Sequence, residues 1–187
     1  MRNTDLNAET ILLHGLADAL ENVHSDVRSL DLTPGSELRR QITRQIIAVN
    51  ALAAQAMDRL AALDGSQYTT LPGSRTTVKA LTSTVHSTTI AAAELAGVLA
   101  ANPLPGTAFN GTPYNNTVRA LLHQNAAPLI EEHHSQALEQ LDLASTGCHY
   151  LATIIARDLT THTGPNIPTQ AAPALTPPAR RRTGHTR

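Results

Sequence analysis

Four stretches of the chain place apolar residues at alternating spacings of three and four, the repeat that keeps one face of a helix against its neighbours. The first runs Leu13, Leu16, Leu20, Val23, Val27, Leu30, and the second Ile42, Ile46, Val49, Ala53, Ala56, Leu60, Leu63. The third runs Val78, Leu81, Val85, Thr88, Ala92, Leu95, Leu99, and the fourth Ile130, His134, Ala137, Leu141, Ala144, Cys148, Leu151, Ile155. Only Thr88 and His134 interrupt this seam with a polar group. A 3.5-residue repeat is shorter than the helix's own 3.6, so helices sharing it wrap around one another with a left-handed twist.

Between these stretches lie clusters that pair Pro with Gly and polar residues: Asp31–Ser36, Asp64–Ser74 and Asn102–Asn116. Such clusters make turns. Thr33 before Pro34, Ser74, and Thr112 before Pro113 or Asn116 are candidate N-caps, while Gly65, Asn102-Pro103 and Gly164-Pro165 are stops. Pro128 is expected to divide the last stretch into a short segment, 117–126, and a bundle helix from Pro128 onward, since an interior Pro loses a hydrogen bond and disfavours helix just before it. The pattern predicts an all-α fold: an antiparallel, up-down-up-down, left-handed four-helix bundle over 1–160, with a long capping loop before the fourth helix. The remainder, 161–187, is Pro-rich and lacks apolar periodicity, so it is expected to be a disordered tail.

Composition supports helices and limits the core. The chain has 187 residues and is 41% hydrophobic, but Ala (29) and Leu (25) dominate that fraction, with one Phe, three Tyr and no Trp. These are the strongest helix formers, and sheet cores draw on aromatic residues that are scarce here. Thirteen Arg against one Lys read as the codon bias of a GC-rich, bacterial genome. The net charge of −1 is an average of two unlike parts, because all fifteen acidic residues precede residue 160 and four Arg follow it. A single cysteine excludes an intrachain disulfide and suits a reducing, cytoplasmic setting. The longest apolar run, near 90–101, is too short to span a membrane, and no membrane association is expected.

Two Glu-x-x-His spacings, Glu21 with His24 and Glu131 with His134, carry the most specific chemical hint. Three residues apart on a helix, a carboxylate and an imidazole share a face and can bind one metal, as in di-iron carboxylate bundles. In an antiparallel bundle His134, Glu131, His24, Glu37 and Glu94 fall near one level, a candidate transition-metal site. Against it, Glu21 points outward in the register, and the pairs fall on the first and fourth helices rather than on the second and fourth. The plainer expectation for His134 is a histidine at the core boundary, bonded to a nearby Glu or backbone carbonyl, whose protonation would loosen the bundle in acid.

No catalytic residues are assigned and no cofactor is expected. Cys148 sits at a seam position, where a thiol packs as a small hydrophobe, and no phosphate-binding loop, nucleophile elbow or zinc-type Cys pair is present. Tyr68, Phe109 and Tyr114 fall in connections; they either pin loops to the bundle end or, for Phe109 and Tyr114, face a protein partner. Arg180, Arg181 and Arg182 in the tail could contact nucleic-acid phosphates. The leading expectation is a non-enzymatic accessory or assembly protein that works through protein contacts, including self-association. The alternatives are a metal-binding bundle with oxidoreductase or carrier activity, and a nucleic-acid accessory protein that uses its tail.

Overall fold

A computed structural model describes residues 5–104 and 116–162. Among them the chain forms four long helices and no strand: α1 Leu6–Arg28, α2 Ser36–Asp64, α3 Ser74–Ala101 and α4 Asn116–His162, with a short 3-10 turn, Gln67–Thr70, between α2 and α3. Each helix packs on its chain neighbours, and α4 closes the ring against α1.

Local chemistry explains the boundaries. Asp5 caps α1, its side chain accepting from the amides of Asn7 at 3.0 Å and Ala8 at 3.3 Å, which satisfies two of the orphan donors of the first turn. Glycines rather than Thr33 and Ser74 hold the N-cap positions of α2 and α3. Thr33 instead donates its amide and hydroxyl to Asp31, which holds that exposed carboxyl below its ordinary range. Gly73, at φ 88°, adopts a left-handed conformation that a side chain would strain, and Ser74 turns its hydroxyl to Thr69 O. The expected stops at Gly65 and Asn102-Pro103 are where α2 and α3 end.

Asn102 also ties that end of the molecule together. Its side chain receives the Gly35 amide and donates to the Gly35 carbonyl, both at 2.8 Å, while Arg39 reaches the carbonyl of Pro103 at 2.8 Å. Asn102 is buried, so this clasp satisfies polar groups that water does not reach.

None of the 28 seam positions is exposed. Most of them divide between a main cluster around Leu20, Ile42, Leu95, Ile130 and Leu141, and a second around Leu13, Leu63, Leu81, Leu151 and Ile155, which Tyr68 joins from the α2–α3 connection. Thr88, one of the two polar interruptions, is fully buried and donates to Thr84 O at 2.8 Å. Tyr68 pins the α2–α3 connection, as expected of a loop aromatic. It is buried, with its hydroxyl 3.1 Å from Asp158 Oδ2 and 2.8 Å from Thr77 Oγ1. The carboxylate can only accept, so Tyr68 donates to Asp158 and receives from Thr77.

α4 differs from the sequence expectation. It continues through Pro128 from Asn116 to His162 instead of dividing there. Ala126 and Ile130, on either side of the proline, are both buried in the main cluster, and that packing holds the helix together despite the lost hydrogen bond. Pro128 itself is exposed, leaving the Gln124 carbonyl to solvent. The central part of the capping loop and the tail from residue 163 lie outside the described residues.

Candidate functional site

Histidines lie along the borders of α4, and each is held by a different group. His134 Nε2 is 2.9 Å from the Val27 carbonyl, in the last turn of α1. A carbonyl only accepts, so Nε2 carries the proton and His134 adds a side-chain donor to a carbonyl in the last turn of α1 that also accepts from the Leu30 amide. Protonation at Nδ1 leaves that bond in place, so the expected loosening in acid has no basis in this contact. On the opposite border, His133 Nδ1 donates to Glu94 Oε2 of α3 at 2.7 Å. A methyl group at Gly97 would fall 2.6 Å from His133 Nδ1, so the absence of a side chain there makes room for the ring.

The residues singled out as metal ligands go separate ways. Glu37 pairs with Arg40 and accepts from Gln41 at 2.7 Å on its own helix. Glu131 is exposed, His24 half-buried, Glu94 is taken by His133, and His134 by Val27. Phe109 and Tyr114, and Arg180, Arg181 and Arg182, lie outside the described residues.

A different set does converge. Asp18 and Glu21 of α1 and His149 of α4 each bring one ligand atom within 4.8 Å of the others, and among the described residues this is the only such group of three. His149 Nε2 donates to Glu21 Oε1 at 2.9 Å, and the His14 ring lies 5.7 Å from the His149 ring, centroid to centroid, tilted by 48°. His14, Asp18 and Glu21 stand at i, i+4 and i+7, which puts them on one face of α1. That spacing is visible in the sequence. The arrival of His149 opposite it is not, because it depends on how α4 packs on α1.

Two other features bear on chemistry. Cys148 is fully buried, and burial pushes its thiol up to about 12, so it stays protonated at neutral pH and serves as a core residue rather than a nucleophile. A cleft of about 630 Å³ between the end of α2 and the start of α3 is lined by Asp64, Thr69, Ser74, Arg75, Lys79 and Thr82 among others. By length and composition, α2 alone among the described residues could cross a membrane, and here it packs between α1 and α3.

Fold and surface together define an all-α protein of four long packed helices with a His/carboxylate cluster on the α1–α4 border. Against known protein families, curated proteins and solved structures, the chain has no match.

Proposed function

We propose that this chain is a non-enzymatic helical-bundle protein that acts through protein contacts, beginning with a second copy of itself docked on the outer face of α4. The observation that carries the reading is four large apolar side chains on that face, Leu121, Leu129, Leu143 and Tyr150, each more than half exposed. At 100° per residue their directions span an arc of about 80°, along about 40 Å of helix. Exposed apolar groups scattered singly are ordinary, but several aligned on one helix form a surface that a partner can cover.

The spacing favours self-pairing. Leu129 and Leu143 lie seven residues either side of Gln136, and the half-buried Leu122 and exposed Tyr150 lie fourteen either side. Two copies of α4 crossing antiparallel about Gln136 would set Leu129 against Leu143 and Leu122 against Tyr150, the self-complementary arrangement a two-fold axis requires. The same register sets Glu132 against Gln140 and Glu139 against His133.

Within one copy, the reading takes α1–α4 as running up-down-up-down in a left-handed bundle. Its support is contacts that join the end of one helix to the start of another or to the turn that precedes it: Arg59 with Glu9, Asn102 with Gly35, Asp158 with Tyr68. The shared spacing of three and four supports the twist.

Light scattering on the purified chain is expected to give a dimer that Leu143→Glu converts to a monomer of unchanged helicity. Gln136→Cys is expected to yield a covalent dimer under mild oxidation, since a residue on the axis faces its own copy. A wild-type monomer at every attainable concentration overturns the proposal, and a dimer that Gln136→Cys fails to cross-link overturns the register.

A further inference from the structure

We propose that His14, Asp18 and Glu21 of α1 and His149 of α4 form a surface site for one divalent transition-metal ion of the zinc type, clipping α1 to α4. The donor set is mixed: two carboxylates within a turn of each other and two imidazoles flanking them. Imidazole with carboxylate suits zinc and its neighbours, whereas calcium and magnesium prefer all-oxygen sites. Ligand atoms bound to a tetrahedral zinc lie about 3.4 Å from one another, given bond lengths of roughly 2.1 Å. Asp18, Glu21 and His149 already hold theirs within 4.8 Å, and the Glu21–His149 pair at 2.9 Å. Asp18 and Glu21 are exposed and His149 half-buried, so the two carboxylates have room to turn toward a shared ion beside the imidazole.

Charge points the same way. Among the described residues neither Asp18 nor Glu21 forms an ion pair with Arg or Lys, and the only group bonded to Glu21 across the helix border is an imidazole N–H. A divalent cation would replace that proton as the bridge: His149 would move its proton to Nδ1 and offer the Nε2 lone pair to the metal, while both carboxylates bind through oxygen. His14, whose ring already lies beside that of His149, would supply the fourth donor. The site is separate from the outer face of α4 and from the residues His134, Glu131, His24, Glu37 and Glu94.

The test is a zinc titration of tag-free, chelator-treated protein by calorimetry, with thermal melts alongside. The expected result is one zinc per chain and a melting temperature that rises with zinc but not with magnesium. His149→Ala and Glu21→Gln are each expected to weaken zinc binding by about tenfold or more, and His86→Ala, which removes an exposed imidazole on α3, to leave it unchanged. Circular dichroism before metal addition separates lost binding from lost folding, and these side chains lie outside the buried core. Running the titration in the Leu143→Glu background separates this site from dimerisation, since binding is expected to persist in the monomer. Absence of saturable binding, or equal affinity in wild type, His149→Ala and Glu21→Gln, overturns the proposal.

Discussion

Gly147 marks a close approach of α3 and α4, because a methyl group there would lie 2.7 Å from Thr84 Oγ1. Replacing a helical Gly by Ala ordinarily stabilises by about 1 kcal/mol. Here the overlap costs about 1–3 kcal/mol, so Gly147→Ala is expected to destabilise in urea melts. In a Thr84→Ala background the obstacle is gone and the same change is expected to become stabilising. Cys148 gives a pH signature at the same scale. Burial raises the folded thiol from 9.0 to about 12, so the unfolded chain loses its proton first as the pH rises. The contribution is fully present below pH 9 and is lost between 9 and about 12, amounting to up to about 4 kcal/mol. Tyr68 is shifted upward as well, chiefly by burial, and acts in the same direction. Stability is therefore expected to fall in alkali, and Cys148→Ala and Tyr68→Phe are each expected to flatten that fall in urea titrations at pH 8 and above. Parallel curves for wild type and Cys148→Ala would show that burial does not govern this thiol.

At the scale of elements, α4 tolerates a proline that sequence rules read as a boundary. Pro128 is exposed, and the packing of Ala126 and Ile130 on either side outweighs its local cost. Pro128→Ala would restore the amide that bonds the Gln124 carbonyl, and is expected to stabilise by about 1–3 kcal/mol, read as a higher melting temperature. Where the start of α2 meets the end of α3, Asn102→Ala would leave the Gly35 amide without its acceptor and remove one of the two donors to the Gly35 carbonyl, which keeps the Arg39 amide. A loss of about 1–2 kcal/mol is expected, since a partly buried amide left unpaired costs more than a hydrogen bond contributes. The turn clusters were legible because Pro and Gly act locally. The N-caps of α2 and α3 were not, because Gly35 is held by a residue 67 positions away and Gly73 by a left-handed turn.

Over the whole molecule, an Ala- and Leu-rich core leaves few large side chains to carry stability, and each weighs more. Leu141, fully buried among all-helical neighbours, is expected to cost about 3 kcal/mol when cut to Ala, measured by denaturant unfolding. The sequence by itself determined the helical class, the face each helix buries and the ends of α2 and α3. Those follow from periodicity and turn chemistry within single elements. It also placed Thr88 and His134 as the polar breaks in the seam and Tyr68 as a loop anchor. Only the tertiary structure decided which histidine meets which acid. His133 rather than His134 takes Glu94, His134 closes the end of α1, and His149 reaches Glu21 across 128 positions of sequence. A one-residue step along a helix turns a side chain by 100°, and a neighbouring helix can slide by a turn without disturbing either pattern, so spacing along the chain names the faces but not the partners across them.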